Sequence, residues 1–497
     1  MSQSNIAMIG LGVMGKSLAL NLLDHGFNVT GFDIDEANRQ RAVSEADLVS
    51  CIASKGQFVA ASNLSELLKT LERPRVIALS VPAGEIVDKV IDDLLIAGID
   101  SEDIVIDTGN SLWTDSERRE THYQGKLRFF STAVSGGEVG ARTGPALMAS
   151  GDPAAWEYVR PMWEAIAAKV DEKGLPVGQF EQGESCAAYL GPAGAGHYVK
   201  MVHNGIEYAD MQLICEAFHF MSDVLEMSAR EISAVFSSWN KGVLNSYLME
   251  ISAEILQTED PVTGKPFVDV VLDKAGQKGT GLWTAVNSLQ MGAPAPTIAQ
   301  AVFARAQSAQ KQLRVNAAAV LKTHTKPAGG FDKQAMLDEL HDALYCAKLV
   351  VYAQGFDLLK TTSVEEGWNL DFGDIAKIWR AGCIIRAIFL QDITKSYQNE
   401  PELEHLLFAD VFIEQIALRS CGWRSSVSNA AIHGVPVPAI SSALSYFDSL
   451  RCGVLPANLL QAQRDYFGAH TYSRVDKPED EKFHLTWSEP NKTQLTV

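Results

Sequence analysis

The sequence predicts a doubly wound α/β domain at the N-terminus, followed by a large all-helical domain and a C-terminal tail. Three observations carry this prediction. β-Rich runs alternate with amphipathic stretches through the first third of the chain. Strand-like alternation largely disappears after about residue 193, where long segments rich in Ala, Leu, Gln, Glu and Met begin. Beyond Arg451 the chain ends in a charged stretch. These shifts place the boundaries at 1–192, 193–452 and 453–497.

In order, the first domain reads as the strand "NIAMIG", a helix from Val13 to His25, the strand "FNVTGF", a helix from Glu36 to Ala46, the strand "RVIALSV", a helix from Ile86 to Ile96 and the strand "DIVIDTG". That is the β-α-β rhythm of a parallel sheet. Helical segments follow at His197–Met227 and Ile298–Leu321, then at "AMLDELHDALYCAKLVVYAQGF" and "GDIAKIWRAGCIIRAIFLQDI". Spans starting near 197 and 333 look comparable, yet no short motif recurs at a fixed period. The tail, "SRVDKPEDEKFHLTWSEPNKTQLTV", reads as mostly irregular.

The turn after the first strand carries chemistry. Gly10, Gly12 and Gly15 form G-x-G-x-x-G between a strand and a helix. The first glycine permits a tight turn, the second lets the backbone approach a pyrophosphate, and the third lets helix and strand pack closely. In that context the pattern indicates a Rossmann-type dinucleotide site. Asp33 closes the second strand in "GFDID", where an acidic residue hydrogen-bonds the adenine ribose of NAD. Its carboxylate repels a 2′-phosphate by on the order of 4 kcal/mol per unit charge at 4 Å and an effective dielectric near 20, an upper figure. NAD is therefore favoured over NADP. Arg39 and Arg41 read as solvated charges of the following helix, with partial compensation of Asp33 as the alternative.

Composition narrows the partners. With 497 residues and a hydrophobic content of 46%, the chain can bury a large core. A net charge of -19 and a pI near 5.0 disfavour nucleic acid and anionic membranes as partners. No apolar run approaches the roughly 20 residues that cross a bilayer, and the opening lacks a basic leader. The seven cysteines are scattered without a C-x-x-C pair, which fits neither a disulfide framework nor a zinc site. A reducing cytoplasm is the expected location, and no metal is expected.

In "VKMVHNGIEY", Lys200, His203, Asn204, Glu207 and Tyr208 fall on one side of a helix, where a core-facing stripe would be apolar. The apolar continuation "MQLICEAFHFM" points to burial, and buried Lys and Glu are rare unless paired or functional. Two turns, about 10 Å, separate Lys200 from Glu207, leaving room for a small substrate between a base and an acid.

The blocks "GLGVMG", "GNS" (109–111), "VSGGEVGARTGPALM", "GAGHYVKMVHNGIEYADMQLICEA", "AGQKGTGLWTA", "AVFAR" and "LPANLLQAQRDYFGAHTY" occur in the order of the decarboxylating 6-phosphogluconate dehydrogenase family, which the chain resembles over nearly its whole length. The resemblance implies that Lys200 takes the 3-hydroxyl proton of 6-phosphogluconate and then polarises the keto oxygen during decarboxylation, and that Glu207 protonates C1 of the enediol. It also implies that Gly10, Leu11, Gly12, Val13, Met14, Gly15, Asp33, Ile34, Asp35, Pro82, Ala83, Gly84 and Asn110 line the cofactor. Asn110, Ser135, Gly136, Gly137, His203 and Asn204 would hold the sugar acid. Tyr208, Lys278, Thr280 and Arg305 would hold its phosphate, joined by Arg464 and His470 reaching across a homodimer into the partner's site. Trp423, Tyr466, Phe467 and Tyr472 are read either as interface anchors or as core.

The chain departs from the family pattern in three places. Asp33-Ile34-Asp35 replaces Asn-Arg-Thr of NADP-dependent members, Pro82 stands where many members have Lys, and "DTGNSLWTD" replaces "DGGNS". The first two remove cations beside the cofactor. A non-decarboxylating β-hydroxyacid dehydrogenase is the alternative enzyme, and the phosphate-binding set argues against it.

Overall fold

The computed structural model describes residues 3–48, 55–192, 194–321 and 332–497. Cys51 and the boundary residue 193 lie outside them. The chain forms two compact units, Met1–Ala443 and Leu444–Val497.

In the first unit, strands β1 (Ile6–Ile9), β2 (Val29–Phe32), β3 (Phe58–Ala60), β4 (Val76–Leu79), β5 (Ile104–Asp107), β6 (Arg128–Ser135) and β7 (Ala146–Gly151) are separated by helices. These are α1 (Val13–Asp24), α2 (Glu36–Leu48), α3 (Leu64–Thr70), α4 (Glu85–Ala97), α5 (Trp113–Tyr123) and α6 (Gly137–Thr143), with α7 (Pro153–Ile166) after β7. The short β8 (Lys169–Val170) and β9 (Glu184–Ser185) pair with each other, and β10 (Ala187–Tyr189) joins the main sheet. Its order is β10-β7-β6-β5-β4-β1-β2-β3.

β1 is buried on both faces, which is why "IAMI" is continuously apolar rather than alternating. Ile6 and Met8 pack with Leu18, Leu22 and Trp163 on one side, while Ala7 and Ile9 pack with Leu67, Val87 and Ile91 on the other. The sheet is not wholly parallel: β7 pairs antiparallel to β6. Only the seven residues of α6, its flanking glycines and Pro145 connect those strands, too few for the crossover a parallel pair requires.

Helices make up most of the remainder. They are α8 (Ala195–Asp223), α9 (Ala229–Trp239), α10 (Tyr247–Gln257), α11 (Phe267–Val270), α12 (Thr280–Gln290), α13 (Pro296–Ala309), α14 (Lys311–Val320), α15 (Lys333–Glu366), α16 (Phe372–Ile378), α17 (Leu390–Asn399), α18 (Asp410–His433) and α19 (Pro438–Leu450). Their ends follow local chemistry. Ser228 and Glu231 form a capping box on α9, Asp332 caps α15, and Gly367 and Gly434 close α15 and α18 in left-handed geometry.

Two expected helices are interrupted. Ile298–Leu321 breaks at Gln310, whose ψ of 43° leaves the helical region, so α13 and α14 are separate. The segment read as "GDIAKIWRAGCIIRAIFLQDI" is two helices flanking irregular residues 379–389, where Gly382 takes φ +67° and its carbonyl accepts a hydrogen bond from Ala146 N at 3.0 Å. Helix-compatible composition lost there to a tertiary contact with the sheet.

The second unit carries α20 (Ala457–Gly468) and an antiparallel pair, β11 (Phe483–Leu485) with β12 (Gln494–Thr496). The tail is therefore less irregular than its composition suggests. Trp423 of α18 is fully buried core, whereas Tyr466 and Phe467 of α20 are exposed.

Glycines set how closely α8 meets its neighbours. A Cβ on Gly196 would lie 2.5 Å from Met148 O on β7, and one on Gly205 would lie 2.5 Å from Thr284 Cγ2 on α12. Gly205→Ala is expected to cost about 1–3 kcal/mol through overpacking, read as a lowered thermal midpoint. An unchanged midpoint would show that α12 can move away freely.

Candidate active site

The glycine turn sits where the strand order reverses, between β1 and β4, at the carboxyl ends of the strands. Gly10 has φ +90°, and a Cβ there would overlap the Ser80 carbonyl; a Cβ on Gly15 would overlap the Gly10 carbonyl. Gly12 instead faces open space. The turn thus leaves room for a phosphate backbone at its middle glycine while its outer glycines are locked, so these residues fit a dinucleotide. Leu11 and Val13 flank Gly12, and Met14 begins the buried side of α1.

Asp33 is 8% exposed and accepts hydrogen bonds from Leu11 N at 2.7 Å, Asp35 N at 2.8 Å and Asn38 Nδ2 at 3.3 Å. It therefore fastens the glycine turn to the end of β2 as well as presenting negative charge there. Ile34 projects into solvent at 93% exposure, and Asp35 is also exposed. Arg39 is half-buried and donates to the Asp33 carbonyl. Its reading as a solvated helix charge is corrected: the guanidinium reaches back one and a half turns to an acceptor at the strand end. Pro82 and Ala83 are exposed, and Gly84, with φ +96°, opens α4.

On α8 the polar stripe is buried. Lys200 is 7% exposed; its Nζ donates to Asn204 Oδ1 at 2.5 Å and lies 3.4 Å from His203 Nδ1. His203 Nδ1 is 3.1 Å from Asn204 Oδ1, and its Nε2 is 3.2 Å from Ser135 Oγ at the end of β6. Helix and strand thus contribute to one cluster. Burial holds the Lys200 ammonium below the usual lysine range, partly opposed by the Glu207 carboxylate. His203 is held well below the imidazole range by burial and then by the neighbouring Lys200 charge, so it is neutral. Its 3.8 Å approach to Glu207 Oε2 is consequently not an ion pair. Glu207 is less covered than its neighbours, with a side chain 22% exposed, yet burial still raises its carboxyl above the ordinary range, against the pull of Lys200. The stripe pairs a lysine biased toward the free amine with a carboxyl biased toward the acid.

Gly136 (φ +122°) and Gly137 (φ +63°) follow Ser135 in a turn that the Gly382 carbonyl abuts; a Cβ on Gly136 would lie 2.6 Å from it. Further along α8, the Tyr208 ring packs on the Gly281 backbone, next to Thr280, and the Arg305 guanidinium lies 3.5 Å over that ring. Arg305 also donates to Gly276 O at 3.1 Å. Tyr208, Thr280 and Arg305 are thereby gathered, and the exposed Lys278 lies two residues before Thr280. Arg464, on α20, and His470, just beyond it, belong to the second unit and are exposed there.

The sequence reading missed a buried network under Asn110, which is itself exposed. Arg119 is fully buried and bonds Asp88 at 2.9 Å, Asp107 at 3.4 Å and the Gly84 carbonyl at 2.8 Å. Asp107 in turn receives Gly109 N at 2.9 Å and Ser111 Oγ at 2.6 Å. His197, in the first turn of α8, contacts Ser116 Oγ at 2.7 Å and Gly109 O at 3.1 Å. Burial lowers its affinity for a second proton, and a carbonyl only accepts, so Nε2 carries the hydrogen and Nδ1 accepts from Ser116. These bonds tie the 109–111 loop to the helix that bears Lys200. The signal was faint: an Arg in a charged-looking helix and a His one turn before the stripe. Among the described residues no group of three or more His, Cys, Asp or Glu is arranged to hold a metal, and no helix is long and apolar enough to cross a membrane.

Two sequence families match. The NAD binding domain of 6-phosphogluconate dehydrogenase matches residues 5–174, and the 6-phosphogluconate dehydrogenase C-terminal domain matches residues 196–487. The chain is 47% identical over 490 residues to the NADP(+)-dependent, decarboxylating 6-phosphogluconate dehydrogenase of Bacillus subtilis, covering 98% of this chain and 100% of that one. It is 45% identical over 490 residues to the decarboxylating human enzyme, covering 98% and 97%. Among solved structures, the Plasmodium falciparum 6-phosphogluconate dehydrogenase, studied apo, with NADP+ and with 6-phosphogluconate, superposes with a TM-score of 0.90 at 38% identity, covering 97% of this chain and 100% of that one.

Removing Arg119 takes the cation from the buried Asp107 and leaves Asp88 with Arg118 alone. Arg119→Met is expected to destabilise the protein by about 3–5 kcal/mol, measured by denaturant unfolding. A loss under about 1 kcal/mol would mean that Ser111 and the backbone satisfy Asp107 unaided.

Proposed function

The chain belongs to the decarboxylating 6-phosphogluconate dehydrogenases, NAD(P)-dependent oxidoreductases; from that membership we propose that it converts 6-phospho-D-gluconate to D-ribulose 5-phosphate and carbon dioxide, and from Asp33 that NAD is its preferred coenzyme. The observation that carries the residue assignments is the buried stripe on α8, with a depressed lysine and an elevated glutamate on one face.

The bound nicotinamide supplies the hydride acceptor. Lys200, held toward its neutral form by burial, takes the proton of the substrate 3-hydroxyl. The ammonium so formed stays within reach of the C3 oxygen and stabilises the negative charge that develops there as carbon dioxide leaves. Asn204 and neutral His203 fix the lysine and offer polar contacts to the sugar acid, and Ser135, Gly136 and Gly137 bind it from the sheet side. Glu207, biased toward its acid form by burial, delivers the proton to C1 of the enediol. Tyr208, Lys278, Thr280 and Arg305 bind the 6-phosphate. We assign Arg464 and His470 to the same phosphate in the partner subunit of a homodimer, in the cytoplasm.

The coenzyme reading rests on the charge at the end of β2. A buried Asp33 carboxylate stands there, Ile34 supplies no cation, and Pro82 is not a lysine. Gly10, Leu11, Gly12, Val13, Met14 and Gly15 would hold the pyrophosphate, with Asp35, Ala83, Gly84 and Asn110 around the remainder. The NADP association of the Bacillus subtilis and Plasmodium falciparum proteins defines the opposite outcome.

Initial rates with 6-phosphogluconate are expected to give a higher kcat/KM for NAD than for NADP; the reverse order would refute Asp33 as the discriminating group and turn attention to Arg39. Lys200→Ala is expected to lower kcat by about 10²–10⁴-fold with substrate binding retained, and near-normal turnover would sink the base assignment. The pH dependence should be bell-shaped. Turnover falls on the acid side as Lys200 gains its proton, at a pH below that of ordinary lysines, and on the alkaline side as Glu207 loses its proton, at a pH above that of ordinary glutamates. A rate independent of pH across both limbs would contradict these roles.

A further inference from the structure

We propose that Gln461 is a positioning residue for phosphate recognition: its side-chain amide joins Arg464 to the turn that presents His470, holding the two side chains in one arrangement. This rests on the assignment of Arg464 and His470 to the 6-phosphate.

The geometry is confined to the second unit. Gln461 is half-buried on α20, one turn before Arg464. Arg464 Nη1 donates to Gln461 Oε1 at 3.1 Å, and Gln461 Nε2 donates to Thr471 O at 2.6 Å and lies 3.5 Å from His470 O. A guanidinium only donates and a carbonyl only accepts, so the two partners fix which way the amide faces.

The turn needs such a restraint. Ala469 and Thr471, on either side of His470, have φ of 50° and 58°, a left-handed backbone that is costly for residues with a Cβ and most costly for a β-branched one. The frame that maintains it is hydrogen-bonded throughout. Ala469 N donates to Asp465 O at 3.0 Å, and Tyr472 exchanges backbone bonds with Phe483 of β11 at 2.8 and 2.9 Å. Asp465 is fully buried and accepts from His484 Nδ1 at 2.8 Å, Leu485 N at 3.1 Å and Trp487 Nε1 at 2.9 Å, which fastens the β11 region to α20. Strain maintained at this cost around one histidine marks a place where position matters.

The residue type is also telling. A neutral amide orders the guanidinium without cancelling its charge, whereas a carboxylate at this position would pair with Arg464 and compete with the phosphate. One guanidinium nitrogen is engaged by the amide and the others remain for phosphate oxygens. Ordering the arginine before substrate arrives removes part of the entropic cost of binding.

The test compares Gln461→Met, which keeps the side-chain length without polar atoms, and Gln461→Glu, which keeps the acceptor and adds charge, in the full-length enzyme. Both are expected to raise KM for 6-phosphogluconate by roughly tenfold or more, with kcat at saturation, KM for the coenzyme and the thermal midpoint little changed. The near-isosteric Glu variant is informative because a merely structural role predicts little effect of it on substrate KM. An unchanged KM in both variants, or losses that track a lowered thermal midpoint, overturns the proposal. Arg464→Ala and His470→Ala in the same assay test the underlying assignment. If neither raises KM for 6-phosphogluconate, the phosphate assignment has failed; if they raise it and the Gln461 variants do not, only the positioning role has.

Discussion

The hydrogen bond from Lys200 to Asn204, made inside the protein rather than in water, is the interaction that the rest of the site is built to sustain. An ammonium removed from solvent is costly unless neighbouring groups replace its hydration, and that cost is what moves its proton affinity toward the range useful for a base. Asn204 and His203 replace part of the hydration with dipoles rather than with a full countercharge. Full pairing with a carboxylate at close range would have restored the ordinary lysine affinity. Glu207, two turns on, opposes the shift without cancelling it.

Burying that stripe sets conditions on everything packed against α8. The helix must lie flush on β6 and β7 and on α12, and glycines at 196 and 205 allow it. Its first turn must hold a constant distance from the loop that carries Asn110. The His197 bonds to Ser116 and Gly109 meet that condition, and the Arg119 ion pairs stiffen the loop beneath. A similar solution recurs at the end of Lys348, whose Nζ meets Asp210 at 2.5 Å with both side chains essentially buried. There the countercharge is complete, and the pair reads as structural cement between α8 and α15 rather than as a reactive group. The two buried lysines differ in partner, a neutral amide for Lys200 and a carboxylate for Lys348.

The glycine turn shows the same division between locked and open positions. Gly10 and Gly15 are required by what they touch, and Gly12 by what it leaves free. Asp33 acts in two capacities there, since the carboxylate that would face a ribose also anchors the turn through Leu11 N. The shape of the turn and the negative charge at the end of β2 consequently depend on one side chain.

Much of this was legible in the sequence because it depends on short-range rules. The strands and helices of the first third follow hydrophobic period, the glycine turn follows a local spacing, and Lys200, His203, Asn204 and Glu207 share a face because helix geometry dictates it. Matters of long range were not legible. The antiparallel turn of β7, the irregular stretch at 379–389 and the paired strands of the tail depend on which segments meet, and composition does not report that. Arg119 and His197 carry no local signal because their partners lie 12 to 88 positions away in the chain. Sequence alone determined which residue types stand at which helical phase; tertiary structure decided which of them lose water, and with it the proton affinities on which the chemistry turns, because desolvation is set by every neighbouring segment at once.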